Sequence, residues 1–90
     1  MNQELTELEY RILDSLYFVE PFDHIVAECG EKPAIVSDVI EQLLHKKLIV
    51  PMRWDEEKSD YVSSFMYDRD DLNAFSYMAT KEGLMAHNSK

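Results

Sequence analysis

The hydrophobic period of this chain changes between Leu44 and Leu48, and the position of that change restricts the fold more than any other feature. Before it, apolar residues return every three or four positions, the spacing of one face of an α-helix. After it, Val50, Met52 and Trp54 return every second position, the spacing of a strand. A helical half followed by a sheet half predicts an α+β domain.

The helical half divides into three stripes. Thr6 followed by Glu9 is a capping box, in which the two side chains satisfy free amides at a helix start, and Leu5 with Tyr10 can close a hydrophobic staple. Leu8, Ile12, Leu16 and Val19, widened by Leu13 and Tyr17, predict a helix over 6–18. Pro21 suits a first helical turn and Gly30 a left-handed residue after a helix end, so Phe22, Ile25, Val26 and Cys29 form a second, shorter face. Pro33 opens the third helix, whose stripe of Val36, Val39, Ile40, Leu43 and Leu44 runs to about residue 46. Leu13, Leu16, Val36, Ile40, Leu43 and Ile49 are expected in one core.

Beyond the change of period, 48–54 reads as a strand, and Pro51 places it at a sheet edge. Residues 55–60 form a charged turn, 61–67 and 74–79 read as strands around a polar segment, and Thr80 caps a short helix over 81–87. Ninety residues with 46% hydrophobic content, two glycines and three prolines fit one domain over 1–90, without a repeat or a linker. Its core is small enough that dimerisation would help.

This order of three helices, a hairpin and a closing helix resembles a winged helix-turn-helix, and residues 25–49 resemble more specifically the helix-turn-helix of MarR-like bacterial transcriptional regulators. Gly30 matches the turn glycine, Val36, Ile40 and Leu43 the inward positions, and Lys46-Lys47-Leu48-Ile49 the exit, where Gly is usual in place of Lys47. Residues 77–83 are similar to the segment that ends the wing and begins the last helix in that class. The resemblance implies a helix-turn-helix over about 21–47, a hairpin or three-stranded wing over about 48–79, and a transcriptional regulator, dimeric and weakly or effector-dependently bound to double-stranded DNA. Lys32, Ser37, Gln42, His45, Lys46 and Lys47 are then the candidate contacts to phosphates and base edges.

Charge points elsewhere. Eighteen acids against nine Lys and Arg give a formal charge of -9, whereas nucleic acid is held by clustered Lys and Arg. Where DNA-reading members place small hydroxyls and an Arg on the third helix, this chain has Ala34, Ile35, Ser37 and Asp38, followed by Glu41. The wing adds Asp55, Glu56, Glu57, Asp60, Asp68, Asp70 and Asp71 against Arg53, Lys58 and Arg69. The alternative function is therefore an acidic winged-helix interaction module that does not bind DNA and takes a basic protein partner.

Six of the ten aromatic residues lie between positions 54 and 77. Trp54, Phe75 and Tyr77 are expected to complete the core; Tyr61, Phe65 and Tyr67 are candidates for a partner or homodimer surface, because interfaces favour aromatics. Glu31, at a turn position usually apolar in the class, should stay in water.

The remaining chemistry-bearing residues support no catalytic, metal or cofactor site. Residues 68–73 carry carboxylates at alternate positions, yet Asn73 replaces the glycine of a calcium loop and Ala79 its bidentate Glu. His24 and Cys29 are two possible ligands where tetrahedral zinc needs four. Cys29, the single cysteine, reads as a small buried hydrophobe, and His24 and His45 as surface or boundary residues. No nucleophile has a base at a recognisable spacing, so an enzyme is not expected. The cytoplasm is the expected compartment: no secretory signal opens the chain, no apolar run suits a bilayer, and a lone cysteine fits reducing conditions.

Overall fold

The structure, a computed structural model, describes residues 4–64 and 69–89. Thr6 starts the first helix, α1 (Glu7–Asp14): its Oγ1 accepts from the Glu9 amide at 3.1 Å, and Glu9 Oε1 accepts from the Thr6 amide at 3.0 Å. The helix stops at Asp14 although the apolar stripe continues. Ser15 turns its hydroxyl onto the Ile12 carbonyl at 2.7 Å, and the Leu16 carbonyl accepts from Ala79 N at 3.0 Å, which draws the chain off the helix and onto the sheet.

A two-residue strand, β1 (Glu20–Pro21), precedes α2 (Phe22–Cys29). Pro21 is therefore the cap residue, with φ -71° and ψ 155°, and not the first helical residue. Gly30 ends α2 with φ +71°, the left-handed conformation that glycine adopts without a Cβ penalty.

The third helix, α3 (Pro33–His45), ends in a Schellman motif: Leu48 N bonds the Leu43 carbonyl and Lys47 N the Leu44 carbonyl, each at 3.0 Å. The residue between, Lys47, takes φ +62°, the place at which glycine is unstrained. The two apolar residues that such an ending brings together, Leu43 and Leu48, are both fully buried.

The strands β2 (Ile49–Asp55), β3 (Asp60–Ser63) and β4 (Ser76–Ala79) join β1 in an antiparallel sheet of order β1-β4-β2-β3. β2 is thus an inner strand, not the edge that Pro51 suggested. Ser64 N bonds the Pro51 carbonyl at 2.8 Å, so the missing proline N–H points to the β3 side, level with Ser64 and past the last β3 residue. No β4 bond is lost. β3 is shorter than the expected 61–67; residues 65–68, with Phe65 and Tyr67, lie outside the described residues. A 3₁₀ segment, Arg69–Ala74, delays the start of β4 and buries Leu72, whose carbonyl accepts from the Tyr77 hydroxyl at 2.6 Å.

Alternation along the strands divides the sheet into two faces. Ile49, Pro51, Tyr77 and Ala79 share the face turned to the helices, where Ile49, Tyr77 and Ala79 join Leu13, Leu16, Val36, Ile40 and Leu43 in the core. Val50, Met52, Trp54, Tyr61, Ser76 and Met78 share the other. Trp54, expected in the core, is 51% exposed. The reason is strand parity: Ile49 and Pro51 turn to the helices, so Trp54 falls with Val50 and Met52 on the other face, at a hairpin end that β4 does not reach. Phe75 is half-buried against the core and Tyr77 fully inside it.

The last helix, α4 (Lys81–Asn88), is held by Thr80, whose Oγ1 accepts from Gly83 N at 3.0 Å and donates to the Lys47 carbonyl at 2.9 Å. Thr80 N bonds the Leu48 carbonyl at 2.9 Å. Gly83 lies so close beneath that a Cβ on it would stand 1.9 Å from Leu48 O. The described residues thus form a mixed α+β fold of four helices and a four-stranded antiparallel sheet.

Candidate interaction surface

The β2–β3 hairpin is built by its own side chains. Asp55 Oδ1 accepts from the amides of Glu57 at 2.9 Å and Lys58 at 3.4 Å, which bends the chain, and Ser59 takes φ +50° to return it. The Ser64–Pro51 bond fixes the alternation of the ladder. Asp60 and Asp55 fall at a hydrogen-bonded pair, and Tyr61 and Trp54 at a non-hydrogen-bonded pair, where side chains approach most closely. The indole and phenol rings accordingly meet edge to face, with centroids 5.2 Å apart and planes at 78°. Both rings remain open to solvent, Tyr61 at 38% exposure.

Around this pair the turn supplies four carboxylates, Asp55, Glu56, Glu57 and Asp60, against the ammonium of Lys58. Asp55 and Asp60 sit directly opposite one another, a like-charge arrangement that costs stability in the isolated domain. Asp60 Oδ1 also accepts from Tyr61 N at 2.7 Å, occupying an amide on the free edge of β3. A carboxylate there opposes the addition of another strand.

The six candidate DNA contacts do not form a strip. Lys32 caps α3 at one end, and His45, Lys46 and Lys47 stand at the other, about 20 Å away along a helix of this length. Ser37 is half-buried, and Gln42, His45 and Lys47 are exposed, but the exposed Asp38 and half-buried Glu41 lie between the two basic ends. Lys46 is engaged elsewhere: its ammonium lies 2.8 and 3.1 Å from the two oxygens of Glu9, a fully buried carboxylate. Glu31 is half-buried.

His24, exposed on α2, stands between Glu20, to which it is hydrogen-bonded, and Glu28, 3.3 Å away. The bond to Glu20 and then its charge raise the imidazole above its ordinary 6.5; desolvation opposes, and Glu28 adds to the rise. These groups border a hollow of about 370 Å³ that Tyr10, Arg11 and Asp14 also line. Cys29 is buried, and burial pushes its thiol above 9.0 against the opposing charge of Arg11. Arg11 also donates to the Cys29 carbonyl at 2.6 Å. Among the described residues, no three His, Cys, Asp or Glu side chains are grouped to hold a metal ion, and no helix is long and apolar enough to cross a membrane.

Two arrangements were not foreseen from the sequence. One is the burial of Glu9. The other is His87, stacked on Tyr10 at 4.3 Å and edge-on to Tyr17, with Nδ1 3.1 Å from the Tyr17 hydroxyl. Its Nε2 is 3.1 Å from Asp14 Oδ1, but off the N–H direction, so no hydrogen bond forms. The spacing of Gly83 and His87, four residues apart, is the signal that places both on the inner face of α4.

Comparison of the chain with protein-family models, curated proteins and solved structures gave no significant match.

Proposed function

We propose that the chain is a winged-helix interaction module that binds a positively charged protein partner through its hairpin. The order of helices, the left-handed Gly30 between α2 and α3, and the hairpin that follows α3 support the winged-helix reading. One observation carries the function: an exposed Trp54–Tyr61 pair stands beside four carboxylates on a projecting hairpin. Aromatic surface supplies contact area, and the carboxylates set the sign of the partner. The same field repels phosphates.

A DNA-binding regulator is the second reading, favoured by the α2–turn–α3 arrangement with Lys32, Gln42, His45 and Lys47 exposed on α3 and its ends. Backbone amide shifts of the labelled protein separate the two. Titration with a Lys/Arg-rich peptide at low salt should move residues of β2 and β3, and mixed-sequence duplex DNA should leave α3 unmoved. Shifts confined to α3 with DNA would reverse the assignment.

A further inference from the structure

We infer that the outer face of the sheet seats an arginine side chain of the partner, laid on the Trp54 ring; this rests on the interaction reading above. The floor is mixed: Val50 and Met78 are half-buried partners in the register, and Met52, itself buried, lies opposite Ser76 and Ser63, with Trp54 and Tyr61 at the hairpin end. Among the described residues, the core that covers the opposite face includes Ile49, Tyr77 and Ala79 and excludes Met52, Val50 and Trp54. Met52 is buried as well, so what this face offers a partner is Trp54 and Tyr61 with the half-buried Val50 and Met78.

Charge selects the occupant. A second copy would bring Asp55, Glu56, Glu57 and Asp60 against their own kind or against a body of formal charge -9. A nucleic acid or an anionic lipid surface has the same wrong sign. A partner strand added along β3 would have to displace Asp60 from the Tyr61 amide. A cationic segment crossing the face of the sheet meets none of these obstacles. Its methylene stems match the half-buried Val50 and Met78, and its charge matches the hairpin.

Between the two cations, the ring geometry favours arginine. Because Trp54 and Tyr61 meet at 78°, they present planes that a flat, weakly hydrated guanidinium can cover, while an ammonium holds its water more strongly. The carboxylates need not touch the guanidinium; across the width of a hairpin, within the ~8–10 Å screening length at ordinary ionic strength, they still attract it.

Trp54 is the sole tryptophan of the chain, so its emission reports the seat directly. The wild-type protein is titrated with nona-arginine and nona-lysine, following Trp54 emission and, by calorimetry, affinity. Nona-arginine should perturb the emission and bind at least about threefold more tightly than nona-lysine, and Trp54→Leu should weaken nona-arginine about tenfold and erase the preference. Glu56→Gln with Glu57→Gln should weaken both peptides alike. Equal affinities with unchanged emission would overturn the arginine seat and leave the acidic module standing. Absence of binding by either peptide at low salt would overturn both. The wild-type comparison needs no variant, so a folding defect in Trp54→Leu cannot mask the outcome.

Discussion

The Lys46 ammonium grips both oxygens of the buried Glu9 carboxylate, at 2.8 and 3.1 Å, and so joins the first turn of α1 to the end of α3. Glu9 Oε1 simultaneously accepts the Thr6 amide. One carboxylate thus caps a helix and locks a tertiary contact. Lys46 is only 31% exposed, and its charge is paired inside the domain.

Lys46→Met should destabilise the domain by about 3 kcal/mol, because it leaves a buried carboxylate without its counter-charge. Urea unfolding measures this directly. Adding Glu9→Gln should recover most of the loss, since the amide oxygen can still cap α1 and carries no charge. If the double variant is as unstable as Lys46→Met, the ion pair is not the source of the loss.

Lys47→Gly should have the opposite sign, a gain of about 1 kcal/mol, because it relieves a left-handed conformation at an exposed side chain. Its own backbone bonds, to the Leu44 carbonyl and from the Thr80 hydroxyl, remain available to glycine. A thermal melt that moves up supports the strain; one that moves down refutes it.

At Gly83 the usual helix preference reverses. Alanine in a helix interior ordinarily gains about 1 kcal/mol over glycine, but here the new methyl would collide with the Leu48 carbonyl, a backbone atom that cannot swing aside. Gly83→Ala should therefore lose about 2–3 kcal/mol, a cost of overpacking. Denaturant midpoints of the two proteins decide the sign.

His24 should titrate above 6.5 in a proton NMR experiment, and Glu20→Gln should lower its midpoint by removing the largest cause. A raised folded value means that the contribution to stability is fully present below 6.5 and is lost as pH rises through the folded midpoint. A midpoint at or below 6.5 would show that neither glutamate holds the charged imidazole.

Much of this fold is legible in the sequence because periodicity reports local geometry. The stripes of α2 and α3, the Thr6–Glu9 box and the position of Gly30 all correspond to observed features. What was not legible depends on partners far along the chain. β1 has two residues and therefore no period. The early end of α1 depends on Ala79, and the inner place of β2 depends on β4 passing beside Pro51. For the candidate surface, Tyr61 and the acidic turn were readable from composition. Trp54 was not, because the alternation of β2 does not say which of its two faces meets the helices. Lys46 looked like a surface cation because nothing local announces that Glu9 is buried beside it.

The bonds from Ala79 N to Leu16 O and from Thr80 N to Leu48 O come from adjacent residues of the chain and reach the exits of α1 and α3. Two helices that part company early in the sequence are thus clasped by neighbouring amides that arrive last. Such distant closures must meet their entropic cost before they return any energy, so they follow the local helical contacts. The arrival of β4 should accordingly set the rate at which the domain folds.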